Sequence, residues 1–265
     1  MGIKSKLRGT FVYTLYKRLG LDRFLSQDGW QTTKRRVRDR LVVPLRYPSL
    51  LPLHRRLRRH LKGQQREWPH LKYSFGYFYQ GWDRIKASGA RSTEARFESY
   101  GLADLLTEDM TVLDVGCNVG FLAMAVAERV KHVDAVELNP YLVAIGKDVS
   151  EFLGIENVTF HQMDFLEFKP GGNYSLIMSF ANHKTIDGNM DPDLRDYFLR
   201  LYDMLEDDGV LLFETHQYDN DSDEFHACVE SLSELFPICR KLDIPATKDD
   251  VRRIFYVFDK KVMKG

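Results

Sequence analysis

Cysteine is scarce in this 265-residue chain. Cys117, Cys228 and Cys239 show no C-x-x-C spacing and form no even-numbered framework, which excludes a disulfide-stapled scaffold and points to a reducing compartment. No apolar run approaches the roughly 18 residues of a membrane span. The N-terminal stretch lacks the continuous apolar core of a secretory signal. Met1-Gly2 opens like a myristoylation signal, but Lys6 stands where that pattern wants Ser or Thr. There is no internal repeat and no low-complexity linker. These absences together lead us to expect a cytoplasmic protein.

Net charge is also absent, with 38 Lys/Arg against 38 Asp/Glu, but the balance hides an asymmetry. Residues 1–62 hold 17 Lys/Arg and 3 Asp/Glu, a net +14, so the remainder carries −14. A basic arm on an acidic body calls for an anionic partner. A membrane surface, a nucleic acid, a phosphorylated glycan and the acidic body itself all qualify. Within the arm, Phe11, Val12, Leu15, Tyr16 and Leu19 predict an amphipathic helix over 10–25. Lys34-Arg35-Arg36-Val37-Arg38-Asp39-Arg40 forms a second basic stretch, and Leu53, Leu57 and Leu61 share one stripe of a third, with Pro52 suited to its first turn. Two readings follow: a peripheral arm lying on the inner face of an anionic membrane, or helices packed on the body with solvated arginines.

The rest of the chain is organised around Thr111-Val112-Leu113-Asp114-Val115-Gly116-Cys117-Asn118-Val119-Gly120. An apolar, β-branched run reads as a buried strand, the glycine turn follows it, and Phe121 to Ala127 starts a helix. That arrangement brings a ligand against backbone N–H groups at the helix start, with Gly116 and Gly120 permitting close approach. The spacing is G-x-x-x-G, which departs from the dinucleotide G-x-G-x-x-G. Strand and helix alternate from here on. Strands are expected at 132–137, 157–161, 174–180 and 210–214 and near 238–243 and 252–259. Helices are expected from Asn139-Pro140 to about Gly154, over roughly 191–206 and around 222–235. The implied fold is α/β, a doubly wound, mostly parallel seven-stranded sheet.

Ligands of such sheets bind outside the carboxyl ends of the strands. The second strand ends in Glu137, able to accept from two ribose hydroxyls; the third leads to Asp164-Phe165, an acid for an adenine amino group beside an aromatic ring. Asp114-x-Gly116-Cys117-x-x-Gly120, then Glu137, then Asp164, resembles in order and spacing the class I S-adenosylmethionine-dependent methyltransferases. The resemblance covers residues 75–260, within a methyltransferase domain set at 71–265 behind a basic helical extension over 1–70. It implies S-adenosylmethionine as cofactor, held by Asp114, Gly116, Asn118, Gly120, Glu137, Leu138, Asp164, Phe165 and Phe180. It also implies that the segment before the first motif folds over the cofactor, making Tyr79, Trp82 and Arg91 candidates near the methionine moiety or the acceptor. An aromatic cluster joining arm to core is the other reading of that segment. Ser92 or Thr93 should cap a helix running to about Leu106.

The acceptor site should follow the fourth strand, at Ser179-Phe180-Ala181-Asn182-His183-Lys184. The Pro-Pro-Tyr/Phe signature of nucleic-acid amino-methyltransferases is missing there, and the only strand-end thiol, Cys117, sits in the cofactor loop. An unperturbed imidazole makes a serviceable base at neutral pH. His183 is therefore a candidate base for an acceptor hydroxyl, with Asn182 orienting it and Lys184 attracting an anionic group. His216, after the fifth strand, is the second candidate. His183, His216, Asp187, Asp191 and Asp219 have no spacing tight enough to argue for a metal. The layout of Tyr79–Trp82, Gly89–Arg96 and Cys117–Phe121 looks like bacterial methyltransferases that modify cell-surface polysaccharides, so a sugar, glycan or small metabolite is the expected acceptor. RNA methylation with the arm as phosphate-binding surface, and a non-catalytic cofactor-binding scaffold at a membrane, are the alternatives.

Overall fold

A computed structural model describes residues 34–35, 37–67, 78–183, 193–216, 219–245 and 252–261. The helix expected over 10–25, the aromatics Tyr73, Phe75 and Tyr77, and Lys184, Asp187 and Asp191 lie outside the described residues. Seven strands form one sheet: β3 (Thr111–Val115), β4 (His132–Glu137), β5 (Val158–Gln162), β6 (Tyr174–Phe180), β7 (Leu205–Glu214), β8 (Ile238–Ile244) and β9 (Arg253–Asp259). Their order is β5-β4-β3-β6-β7-β9-β8, all parallel except β9, which runs antiparallel to both β7 and β8. The chain moves outward from β3 through β4 to β5, then crosses back to pair β6 on the other side of β3. The order thus reverses at β3, where an open α/β sheet leaves a crevice.

Period-two alternation explains the layering. Val112, Leu176, Met178, Leu212, Phe255 and Val257 face one core. Leu113, Ile177, Leu211, Phe213, Tyr256 and Phe258 face the other. The first core is covered by α1 (Leu51–Glu67), α3 (Phe121–Ala127) and α4 (Pro140–Leu153), the second by α5 (Leu194–Met204) and α6 (Asp223–Ser231). Helix ends follow their chemistry: Asn139 caps α4 through its side chain, Pro140 occupies the first turn, and Gly154 turns out of the helix at φ 66°.

Helix α1 shows which reading of the third basic stretch holds. Leu53, Leu57 and Leu61 are buried in the first core, while Arg56 and His60 reach Asp148 and Glu151 of α4 at 3.1–3.6 Å. Burying a leucine contributes ~1.5–3 kcal/mol and an exposed ion pair ~0–1 kcal/mol, so the leucines hold this helix and the charges decorate it. No helix among the described residues is long and apolar enough to cross a membrane.

Three features differ from expectation. A small parallel pair, β1 (Phe78–Gly81) with β2 (Gly89–Ser92), stands in the aromatic segment, where no strand was expected. Helix α2 (Thr93–Ser99), capped by Ser92 as expected, ends well short of Leu106 because Gly101 takes a left-handed φ of 61°. Strand β7 begins at Leu205, ahead of the start expected at residue 210, with a register slip opposite Tyr174 and Leu176.

Candidate active site

The glycine turn after β3 is held by its own neighbours. The N–H groups of Cys117, Asn118, Gly120 and Phe121 go to Val136 O, Glu137 Oε2, Cys117 O and Gln80 Oε1 at 3.0 Å each. The turn is thus fastened on itself, and at the helix start the Phe121 N–H is committed to Gln80. The glycines are required by packing. A Cβ on Gly116 would lie 2.8 Å from Asn182 Cβ, and one on Gly120 would lie 2.4 Å from Phe160, both at positive φ. Gln80 was missed by sequence reasoning. From β1 it also donates to Cys117 O at 3.1 Å, so one amide clamps both ends of the turn.

The strand ends then supply acids in sequence. Asp114 is buried, and its carboxyl has no hydrogen-bond partner among the described residues. Burial pushes it up to about 7, aided by the charge of Glu137 and opposed by Arg96. Glu137 accepts from the N–H groups of Asn118 and Asn139 at 3.0 and 2.9 Å, one on each carboxylate oxygen. Leu138 beside it is half-buried. Asp164 is half-buried and accepts from Leu166 N at 2.8 Å. Phe165, expected beside an adenine ring, instead has its ring in the second core, edge-on to Tyr197 at 5.7 Å and beneath Arg200. Burial pushes the Cys117 thiol well above its usual range, so it has no thiolate character.

A charged cluster closes the β7 side. Glu214, fully buried at the strand end, meets Arg91 from β2 at 2.6 Å, Arg96 from α2 at 3.3 Å, Arg253 from β9 at 3.6 Å, and the hydroxyl of Tyr100. Burial alone would raise its pKa, but Arg91, Arg96 and Arg253 outweigh burial and hold it down at about 2. Arg96 also lies over Phe180 at the end of β6. Arg91, expected near the methionine moiety, is thus tied to Glu214, with the Tyr79 hydroxyl 3.5 Å away. Trp82 is a correction: it is buried against Phe121 at 5.8 Å, so it joins the segment to the core as the other reading held. Glu214, Arg96, Tyr100 and Arg253 went unassigned in the sequence, where only their positions at strand and helix ends could have signalled them.

Beyond β6 the backbone is strained. Ala181 takes φ 56° and anchors its N–H on Glu214 O at 2.9 Å. The twist drives Asn182 under the glycine turn, where its amide donates to Val115 O and accepts from Ser179 Oγ at 2.8 Å and Tyr197 OH at 3.2 Å. Asn182 is therefore a structural pin, its amide oxygen shared between Ser179 and Tyr197 and one N–H given to Val115 O. The His183 side chain is 1 % exposed, with Nε2 2.9 Å from Asp219 Oδ2 and its ring among Tyr197, Phe213 and Phe225. His216 is half-buried, and its N–H donates to the same Asp219 oxygen at 2.7 Å. Among the described residues no group of three or more His, Cys, Asp or Glu gathers for a metal ion.

The residues fit S-adenosylmethionine. Asn118 Oδ1 and Asn139 Nδ2 are buried without a partner near Glu137, and in the crevice beside β3 the carboxyl of Asp114 is buried with its pKa raised. A ligand with cationic groups, a diol and an amino heterocycle supplies what these atoms lack. Solved structures share the fold. The N-methyltransferase NodS of Bradyrhizobium japonicum WM9, in complex with S-adenosyl-L-homocysteine, aligns with TM-score 0.52 at 13% identity over 77% of this chain and 98% of its own. A Listeria monocytogenes protein described as a class I S-adenosylmethionine-dependent methyltransferase aligns with TM-score 0.53 at 13% identity, over 64% of this chain and 60% of its own. The [4+2]-cyclase SpnF gives 0.52 at 14% identity, over 64% and 82%. A curated relative from Geobacillus sp. (strain WCH70), named as a methyltransferase, is 29% identical over 105 residues; the match spans 40% of this chain and 42% of the relative. The family model described as "Methyltransferase domain" matches residues 106–258, more than half of the sequence. The chain belongs to this methyltransferase family, of the class I S-adenosylmethionine-dependent type.

Proposed function

We propose that the protein methylates a hydroxyl on a sugar, glycan or other small metabolite, and that His216 accepts the hydroxyl proton. The observation that carries this reading is that one oxygen of Asp219 takes both the His183 ring and the backbone N–H of His216, which holds the His216 residue beside the ends of β6 and β7. A neutral hydroxyl needs its proton removed, and an imidazole is the side chain suited to that at neutral pH. Sequence order favours His183, but burial argues for the half-exposed His216 as the group that touches the acceptor. His183 and Asp219 then act as positioning residues, with Asp219 fixing the backbone on which His216 is carried.

S-adenosylmethionine, when bound, supplies a methyl group already activated on a positively charged sulfur. Asp114, Glu137, Leu138, Asp164 and Phe180, with the turn from Gly116 to Gly120, would hold it. Gln80 keeps the turn in place, and the β1–β2 pair covers the carboxyl edge of the sheet. Much of the rate enhancement then comes from positioning the acceptor oxygen in line and shielding it from water. Loss of the proton to His216 leaves the new O–CH3 bond uncharged, and the imidazolium returns its proton to solvent. The sugar acceptor is supported by the layout that looks like polysaccharide-modifying enzymes.

The test is formation of S-adenosylhomocysteine by the full chain against matched sugars with only hydroxyls, amino sugars and RNA. Turnover of the hydroxyl sugars is expected, with His216→Gln lowering kcat by about 10²-fold or more while cofactor affinity holds. His183→Gln should move the pH profile and KM less than it moves stability. Methylation confined to amines or RNA would overturn the acceptor class. An unchanged kcat in His216→Gln would overturn the base.

A further inference from the structure

A second surface lies far along the chain from the catalytic groups. Residues Val37 to Arg46 form one helical segment, wound wide over Arg38–Val42 and as α-helix over Val43–Arg46. Pro44 explains the change of winding, since it has no N–H to offer Arg40 O and its ring crowds that carbonyl. The segment buries Val43 yet leaves Val37, Leu41, Val42 and Leu45 open to solvent, Leu41 at 60 % and Leu45 at 86 %. Val37, Leu41 and Leu45 follow one another at four-residue spacing. Exposed Arg40 and Arg46 flank them, with Arg55 and Arg59 on the neighbouring helix α1, while Arg38 reaches Ser88, Asp39 and Asp83.

The single acid between residues 34 and 66 is turned away from this face. Asp39 accepts from Ser88 N at 3.0 Å and Ser88 Oγ at 2.7 Å, binding the segment to the start of β2. The cations are crowded among themselves: the Arg58 guanidinium is disfavoured by burial first, then by the nearby charges of Arg40 and Arg55. An anionic surface would relieve that repulsion.

We infer that the face made by Val37, Leu41, Val42 and Leu45, flanked by Arg40 and Arg46, docks on an anionic lipid bilayer. Aliphatic side chains inside a cationic rim match the boundary between headgroup and acyl chain, where apolar burial and electrostatic attraction add. A nucleic acid would leave the four aliphatic side chains in water. A second copy of the face would set like charges against each other. Because Asp39 holds the segment to β2, which carries Arg91 to the edge of the active site, docking would orient that edge relative to the bilayer.

The full chain should sediment with phosphatidylcholine vesicles containing phosphatidylglycerol, and much less with phosphatidylcholine alone. Added salt should weaken the binding. Leu41→Ser with Leu45→Ser, and separately Arg40→Gln with Arg46→Gln, should each lower vesicle affinity about tenfold or more. S-adenosylmethionine affinity serves as the folding control and should stay unchanged, so the outcome does not depend on the acceptor. No binding to anionic vesicles, or binding undiminished in both double variants, would overturn the inference. So would binding to RNA in place of vesicles, insensitive to the leucine changes.

Discussion

Replacing Asp114 by Asn separates what this carboxyl does for the cofactor from what it costs the fold. Its pKa stands at about 7, against 3.8 for an ordinary aspartate, chiefly because burial disfavours the charged form. At ~1.4 kcal/mol per unit, three units amount to about 4 kcal/mol. The sign follows from proton binding. Between pH 4 and 7 the folded chain holds a proton that the unfolded chain has lost, so this group makes stability fall as pH rises and level off above about 7. The Asn variant has no such dependence. In urea unfolding of the cofactor-free protein, Asp114→Asn should match the wild type near pH 4 and exceed it by about 4 kcal/mol at pH 8. Charge at this position suits the cationic cofactor, so binding near pH 6.5 should release a fraction of a proton, visible by calorimetry in buffers of different ionisation enthalpy. The variant should release less and bind at least about tenfold more weakly. A stability difference independent of pH would refute the reasoning, and so would undiminished cofactor affinity.

Glu214→Gln should behave oppositely. It strands three buried guanidinium groups beside a neutral amide, at a cost of about 3–5 kcal/mol in unfolding free energy at pH 7. With a folded pKa of about 2 against 4.5, the wild-type carboxylate stabilises fully above about pH 4.5 and loses that contribution as pH falls toward 2; the difference between the two unfolding curves should shrink over that range, and a constant difference would contradict the assignment. Gly116→Ala combines a left-handed φ of 67° with a Cβ 2.7 Å from the Asn182 amide. Thermal unfolding should show a loss of about 2–5 kcal/mol, and a smaller effect than about 1 kcal/mol would mean that Asn182 is not pinned there. Gln80→Ala orphans Phe121 N–H and leaves Cys117 O with the Gly120 N–H alone, so it should cost about 1–3 kcal/mol with weaker cofactor binding, while unchanged binding would show that the turn holds its shape unaided.

The sheet was legible because its signals are local. A β-branched run, a capping Asn with Pro140 and a closing Gly154 each specify their element within a few residues, and β4 and β6 fall where the pattern puts them. That Asp114, Glu137 and Asp164 stand at or just past consecutive strand ends was likewise legible from the pattern alone. What stayed hidden depends on contacts made across long stretches of chain. Gln80 looks like any polar residue until β1 brings it against the glycine turn, and Glu214 reads as a solvated strand end until Arg91, Arg96 and Arg253 arrive from three elements. Trp82 and Phe165 show the converse error. A large aromatic near a motif reads as a ligand contact, yet burial of its area favours the core whenever a core is within reach. The surroundings of His183 were hidden for the same reason: being at a strand end says nothing of the Tyr197, Phe213 and Phe225 rings that enclose it.

Two buried carboxyls at one edge of the sheet, shifted in opposite directions, show how perturbed acidity separates a binding group from a fastening one. A depressed pKa such as that of Glu214 means the charge is already answered by the protein, here by guanidiniums from β2, α2 and β9. Such a group joins three elements and has little left to offer a ligand. A raised pKa such as that of Asp114 means that burial has been imposed without compensation, which a fold retains when something else completes it. The two also divide the work in space. Glu214 fixes Arg91 and, through the pairing of β2 with β1, the strand from which Gln80 reaches the turn beside Asp114. Breaking the satisfied pair should therefore loosen the cofactor site indirectly, through β1, while the fold weakens. Removing the unsatisfied acid should weaken the cofactor site directly while the fold gains.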